Sequence, residues 1–530
     1  MSTTVDTLAT RAPASYGTVA TTLAEMLVEH ATHRPQAPAV TDSAGRRTTY
    51  AELAESCARL ASALGRAGVE PGDRVAVLAR NGLPWVQLLY AASWAGVVLV
   101  GLNWRLSPGE LRTVLADSTA GLVFAEEEFR ELLEDATPDG STSVVWLDGQ
   151  DEGFAAWAGA GDPDEAAERL RREPPPADRV MLQLYTTGTT GNPKGVMLTE
   201  RNADAMVRVV SPKWLMHDRM RFLAALPFFH VSGITSIVDT VYVGGELVIP
   251  AGTGVHEIGA AISAHRVTHT VLVPTVLTSL VHDTATSSYD LTSLEVLIYG
   301  SAPSGSRLIE QAMAMLPSTA FSQGYGLTET FAGVAIAPLV RHGDVDPRPG
   351  TAGRILENCE VRVVDPGTGE DVPPGRDGEI WLRTPQRTPG YWRRPEETAA
   401  AITADGWFRT GDIGAVDEEG YLFIRDRLKD MIISGGENIY SVEVEAAVSS
   451  HPDILEVAVY GVPHPHWGET VKAVVVRRAG SSLTAEALLE HLSDRLARYK
   501  RPRVIEFADE LPKTGSGKIL KRALRDGEPR

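Results

Sequence analysis

Apolar and polar positions recur along the chain with two different periods, and the switches between them mark out elements. Leu23, Met26, Leu27 and His30 repeat at helical spacing until Pro35, which predicts a helix with one buried face. A second helix is expected from Tyr50 to about Gly68, then a strand over residues 74–78 entered through the turn Pro71-Gly72-Asp73. Trp85 to Leu102 runs uncharged for 18 residues, the lower limit for a membrane span. Gln87, Ser93 and Gly96 interrupt that run, and it ends in the β-rich Val97-Val98-Leu99-Val100, so a buried helix followed by a buried strand is expected instead. Leu122-Val123-Phe124 adds another strand. Helix and strand taking turns with short punctuation imply a parallel, doubly wound sheet.

The pattern then repeats and changes. Residues 150–178, acidic and ending in Pro174-Pro175-Pro176, read as a surface connection. A second alternating block follows from Asn202 to about Gly350, with strands near 222–226, 246–249, 270–273 and 296–298. Beyond Thr351 come short strands and turns, such as 361–365 and 378–383, consistent with a small β-subdomain. After Arg427 the chain starts again: a helix from Ser441, strands at 457–462, 471–476 and 504–507, and a helix over 484–496. That is an α+β unit of about 100 residues, large enough to fold separately. The expected fold class is α/β: a large N-terminal domain of two doubly wound subdomains plus the β-subdomain, over residues 17–427, and a small α+β domain over 431–530. Residues 1–16, rich in Ser, Thr and Ala with no apolar stretch, read as a disordered start rather than a signal peptide.

Composition narrows the function. At 530 residues the chain is too long for one ordinary core. A net charge of -19 argues against nucleic acid as a partner. From Leu428 onward, 15 Lys and Arg balance 15 Asp and Glu, so the acidic excess lies in the body and a neutral tail can meet anions that the body repels. Cys57 and Cys359 stand far apart, which gives no disulfide or metal pattern and suits a reducing cytoplasm.

The chemistry centres on Tyr185-Thr-Thr-Gly-Thr-Thr-Gly-Asn-Pro-Lys-Gly-Val196. Gly188 and Gly191 let the backbone turn its amides toward one point, threonines add hydroxyl donors and Lys194 adds charge, which suits a phosphate. It is not the Walker loop, since Pro193 precedes Lys194 and Gly195-Val196 follows it. Alone it could be a Gly/Thr-rich surface turn. Further motifs follow in order: Pro227-Phe-Phe-His-Val-Ser-Gly233, Gly300-Ser-Ala-Pro303, Gln323-Gly-Tyr-Gly-Leu-Thr-Glu329, Gly406-Trp-Phe-Arg-Thr-Gly-Asp412, Ile424-Arg-Asp-Arg-Leu-Lys-Asp430, Gly435-Gly-Glu-Asn438 and Pro512-Lys-Thr-Gly-Ser-Gly-Lys-Ile519.

In combination these motifs resemble the adenylate-forming superfamily of acyl-CoA synthetases, peptide-synthetase adenylation domains and firefly-type luciferases, over roughly residues 20–525. The resemblance implies activation of a carboxylic acid by ATP and transfer of the acyl group to CoA. It implies that Thr186, Thr187, Gly188, Thr189, Thr190 and Lys194 hold the leaving phosphates. Ser301, Ala302 and Pro303, with Gly324, Tyr325 and Gly326, would border the adenine. Thr328 would donate to a phosphate, and Glu329 would hold Mg²⁺ through oxygen. Asp412 and Arg427 would take the ribose, with Ile424 nearby, and Lys518 would bridge carboxylate and α-phosphate. Lys429 would be the hinge, within residues 428–430, about which the small domain rotates, and Gly435 and Gly436 would admit the pantetheine arm.

On the acyl side, the resemblance places His230 at the mouth between acid and thiol, although a His beside two Phe can equally be a satisfied core residue. Amino-acid-activating relatives carry Asp where this chain has His230, so an amino acid substrate is not expected. Phe229, Ser232, Gly233, Gly300, Gly324, Phe331 and Val334 are expected to line an apolar pocket, suiting a fatty or aryl acid. The basic cluster Arg495, Arg498, Lys500, Arg501 and Arg503 can attract CoA phosphates or simply favour a helix C-terminus. Two other functions stay open: an adenylating enzyme that serves a carrier-protein thiol or another nucleophile, and a silent binding member of the fold.

Overall fold

A computed structural model describes residues 21–137, 140, 142–148, 153–187, 193–300, 306–345, 348, 350–434, 437–513 and 519–527. The expected disordered start therefore lies outside the described residues.

Five parallel strands and one antiparallel strand form the first sheet, in the order Ser143–Trp146, Leu122–Ala125, Arg74–Leu78, Val98–Gly101, Val180–Thr187, Pro193–Thr199. The uncharged run folds as the helix Leu83–Ala95 and the strand Val98–Gly101, both buried. Pro84 starts that helix, and Gly96, at φ 84°, ends it in the left-handed conformation that glycine adopts without strain. Among the described residues no helix is long and apolar enough to cross a membrane.

The second sheet has 13 strands, and its parallel centre runs Pro38–Thr41, Glu246–Val248, Arg221–Leu223, His269–Leu272, Val296–Gly300, Ala320–Leu327. Beyond this centre the same hydrogen-bond ladder continues. The chain turns back at Thr328–Thr330 into the antiparallel strand Ala332–Ile336. Short pairings, Ala335 with Ile355 and Gly353 with Leu422, then carry the hydrogen-bond ladder on into the late β strands. The expected β-subdomain is thus an antiparallel extension of the same sheet, because edge strands left unpaired would expose their backbone groups. The strand expected near 222–226 is only Arg221–Leu223: the Ala224 amide still donates to the Val248 carbonyl (2.9 Å), but the Ala225 amide turns back to the Leu223 carbonyl (3.0 Å).

After the strand Tyr421–Arg427 and a turn at 428–430, the chain enters a five-stranded sheet built on the long hairpin Ile454–His464 and Gly468–Arg477. Its own core includes Ile432, Val444, Val459, Val475 and Leu488, all fully or nearly fully buried. The junction is pinned by the Asp426 carboxylate, which accepts from the Ser441 amide, and by an Arg525–Asp430 pair at 3.5 Å.

Candidate active site

The phosphate-loop candidate is flanked by two paired strands at the edge of the first sheet. Strands Val180–Thr187 and Pro193–Thr199 pair antiparallel, with Tyr185 opposite Gly195, Thr186 opposite Lys194 and Thr187 opposite Pro193. The register places Lys194 opposite Thr186, while Gly188, Thr189 and Thr190 lie outside the described residues. Thr199 then caps the helix Glu200–Lys213 through a reciprocal bond with Asn202. Asn202 also donates to the carbonyls of Pro385 and Arg387, both at 2.9 Å, so the helix cap fastens a distant segment beside the loop.

That segment, residues 384–394, links the two sheets. The Trp392 amide donates to the Gly195 carbonyl (2.8 Å) and the Thr388 amide to the Glu329 carbonyl (2.7 Å). Between them Tyr391 lies 5.1 Å from Lys194 Nζ, ring centroid to nitrogen, and its hydroxyl donates to Glu329 Oε1 at 3.0 Å. A cation, an aromatic face and a carboxylate therefore meet at one point although they come from three parts of the chain. Asp117 holds the frame from behind: it accepts from Tyr185 (2.8 Å), from Arg394 (2.8 Å) and, through its carbonyl, from the Trp392 indole (3.1 Å). Neither Tyr391 nor Asp117 was expected from sequence; the aromatic pair Tyr391-Trp392 just after Gly390 was the available signal.

Asp412 and Arg427 face each other across adjacent strands, in register. Arg427 Nε is 2.8 Å from Asp412 Oδ1, and the Tyr325 hydroxyl donates to Oδ2 at 2.5 Å. The Asp412 side chain is 3% exposed. Burial and the Asp412 carboxylate push the Tyr325 phenol far above its ordinary range, so it stays a hydrogen-bond donor at every physiological pH. Burial works against the charge on Arg427, but Asp412, Tyr325 and Glu329 more than offset it. Lys194, Tyr391 and Glu329 thus form one polar cluster and Arg427, Asp412 and Tyr325 a second, and the Glu329 charge favours the charge on Arg427. Ile424 packs half-buried beside it, Thr328 is half-buried on the turn before Glu329, and Lys429 sits exposed in the turn that follows Arg427. Among the described residues no group of three or more His, Cys, Asp or Glu side chains could hold a metal ion. A cation at Glu329 would take its remaining oxygens from phosphate and water.

On the acyl side the expected glycines sit against main chain or an aromatic ring. A Cβ on Gly233 would lie 2.1 Å from the Pro227 carbonyl oxygen, and one on Gly300 2.4 Å from that of Gly324. These two glycines permit close backbone packing. Gly324 faces Trp214, whose ring atoms would stand 3.2 and 3.4 Å from a Cβ there. Trp214 is 7% exposed and donates to the Ser322 hydroxyl at 3.1 Å, closing the space over the sheet. Phe331 and Val334 are fully buried, and Phe331 takes a left-handed φ of 46°, a strained backbone for an aromatic residue. Phe229 meets Trp104 edge to face at 6.0 Å and its own neighbour His230 at 4.6 Å. His230 precedes the helix Val231–Val243, on whose first turn Ser232 is half-buried.

Ser301, Ala302, Pro303, Gly435, Gly436 and Lys518 lie outside the described residues. Lys513 and Ile519, on either side of Lys518 in sequence, form an antiparallel bridge. In the basic cluster, Arg495 and Arg501 donate to main-chain carbonyls at the end of the preceding helix, and Lys500 pairs with Glu443 at 2.7 Å. Those charges have structural partners; Arg503 lies over the exposed Trp467 at 5.5 Å.

The fold joins an α/β body that carries these clusters of cation, carboxylate and phenol to a small terminal unit with its own core. The sequence profile of the AMP-binding enzyme family matches residues 27–392, and that of the AMP-binding enzyme C-terminal domain matches residues 443–518. The feruloyl-CoA synthase of Amycolatopsis sp is 41% identical, over 94% of this chain and 97% of its own length. A fatty acid–[acyl-carrier-protein] ligase of Streptomyces coeruleorubidus is 36% identical, over 95% and 96%. The o-succinylbenzoate CoA synthetase of Bacillus subtilis, solved with its acyl-adenylate intermediate, superposes with a TM-score of 0.80 at 29% identity, over 95% of this chain and 98% of its own. The chain belongs to the AMP-binding enzyme family, and it is an acid–thiol ligase.

Proposed function

We propose that this enzyme joins an aryl acid to CoA in two steps. A carboxylate oxygen attacks the α-phosphorus of ATP and the bond to the bridging oxygen breaks, releasing pyrophosphate. The CoA thiol then attacks the acyl carbon of the mixed anhydride and AMP leaves. The observation that carries this reading is the Tyr391 junction, which holds Lys194 and Glu329 together one network away from Asp412.

Charge builds on the phosphoryl oxygens in the first step, so the protein supplies donors, a cation and alignment rather than a nucleophile. Thr186, Thr187 and Lys194 flank the β- and γ-phosphates. Mg²⁺ held by Glu329 would neutralise the triphosphate. Tyr325 orients Asp412 toward the ribose hydroxyls, and each Asp412 oxygen keeps a second lone pair for them. Lys518 bridges the carboxylate and α-phosphate, and Gly435 and Gly436 let the thiol arm approach. His230 stands where acid and thiol meet.

The Trp214 ring over Gly324 favours a short, flat acid over a long alkyl chain, in keeping with the feruloyl group named for the 41% identical relative. The carrier-protein acceptor named for the Streptomyces coeruleorubidus relative gives the second reading. Incubating enzyme, ATP and a panel of cinnamic, benzoic and fatty acids with CoA or with a phosphopantetheinylated carrier separates the two. Acyl-CoA formation from the aryl acids supports the proposal; acylation of the carrier alone replaces it.

A further inference from the structure

Asp117, which holds Tyr185 of the phosphate-loop hairpin, also belongs to the wall of a surface cleft of about 670 Å³. Arg112, Thr113, Ala116, Arg393 and Arg394 complete the lining. The cleft has two walls. Arg112, Thr113, Ala116 and Asp117 fall a turn apart on the helix Pro108–Ser118 and share one side of it. Arg393 and Arg394 come from the turn that the Arg394 amide closes on the Tyr391 carbonyl at 3.2 Å.

The whole chain carries 69 Asp and Glu against 50 Lys and Arg. In the cleft that balance is reversed, with three guanidinium groups to one carboxylate. The carboxylate is already engaged: Asp117 Oδ1 accepts from Arg394 and Oδ2 from Tyr185, both at 2.8 Å. Arg112 donates to main chain, to the Ala136 carbonyl at 3.2 Å and the Asp135 carbonyl at 2.6 Å. Arg393 is exposed, and among the described residues its guanidinium has neither a hydrogen bond nor an ion pair. Its backbone is left-handed, at φ 53°. Gly and Asn take that conformation readily, whereas other L residues occupy it at a cost. The turn alone is served by either of those, so the fold does not explain an arginine there. A strained residue that brings an unpaired charge to a cleft points to a ligand.

Guanidinium groups approaching from two walls suit a tetrahedral phosphate, which presents oxygens in both directions, better than a flat carboxylate. The volume is larger than a bare phosphate requires and falls in the range of small-molecule sites. We propose that this cleft binds a phosphate group, free or esterified to a small molecule, and that Arg393 is its principal contact. The site is separate from the nucleotide chemistry and does not depend on the ligase reading.

The test is titration calorimetry with inorganic phosphate and with ribose 5-phosphate, at constant ionic strength, with α,β-methylene-ATP and Mg²⁺ added to fill the phosphate loop. Wild type is expected to show one saturable site per chain. Saturation by either probe supports the site, and the tighter of the two tells whether the ligand is the free ion or an ester. Arg393→Asn, which suits the turn, is expected to keep or raise the urea midpoint while weakening binding by about tenfold or more, the worth of one charge-assisted hydrogen bond. Arg393→Lys, which keeps the charge but not the fork, is expected to fall between the two. No saturable binding in wild type, or equal affinity in wild type and Arg393→Asn, overturns the assignment. If Arg393→Asn does not fold, Arg393→Gly, equally compatible with that φ, decides by the same comparison.

Discussion

Asp412 shows how much one side chain depends on its neighbours. Its two oxygens are held by Arg427 at 2.8 Å and Tyr325 at 2.5 Å, and its own amide donates to the Thr410 hydroxyl. Substituting Asp412→Ala removes a charge-assisted acceptor worth about 1.5–3 kcal/mol, so kcat/KM for ATP is expected to fall by about 10- to 100-fold, measured as pyrophosphate release against ATP concentration. Tyr391→Phe deletes only the hydroxyl on Glu329 and keeps the ring beneath Lys194. A loss of about fivefold in kcat/KM for ATP is expected, from one neutral donor of about 1 kcal/mol, with KM for the acid unmoved. A change in the acid KM alone would detach Tyr391 from the nucleotide. Asp412 stood out in sequence because a ribose would demand an acceptor-only group at a fixed place in a motif. Tyr391 and Trp214 did not. Each draws its meaning from a partner far away in sequence, and locally they read as a turn aromatic and a helix end.

Among the elements, the turn between strands Ala320–Leu327 and Ala332–Ile336 bears the tightest constraint. A Cβ on Gly326 would lie 1.6 Å from the Ala332 carbonyl oxygen, and Phe331 and Ala332 have φ of 46° and 79°. Gly326→Ala is therefore expected to cost at least about 3 kcal/mol, read as the urea midpoint, because main chain rather than a flexible side chain would have to move. The neighbouring strand His269–Leu272 gives a pH dependence. His269 is fully buried, its Nε2 donates to the Trp214 carbonyl at 3.1 Å, and burial lowers its pKa from the ordinary 6.5 to about 4. Between those values the unfolded chain binds more protons, so this contribution is intact above pH 6.5 and is lost as pH falls toward 4. At pH 5 the loss amounts to about 2 kcal/mol. His269→Gln, which can still donate to Trp214, is expected to flatten the change in urea midpoint between pH 7 and pH 5; an equal change in both proteins would place the titration elsewhere. Helices and parallel strands were readable from periodicity. The continuation of one sheet into the late β strands was not, because it rests on pairings of two residues each, such as Gly353 with Leu422 and Arg354 with Tyr421.

For the molecule as a whole, the small terminal unit has its own core and joins the body through a short turn at 428–430. Two half-reactions that share one acyl group can then call on different faces of that unit in turn. Lys518→Ala is expected to abolish ATP–pyrophosphate exchange while thiolysis of supplied acyl-AMP continues; equal loss of both would remove Lys518 from its place in the first step alone. The account stands or falls on where the acid attacks. With the acid labelled by ¹⁸O in its carboxylate, one complete turnover with ATP and CoA is expected to leave one ¹⁸O atom in the phosphate of AMP and none in pyrophosphate. Label in pyrophosphate or free phosphate, or ADP in place of AMP, would contradict it.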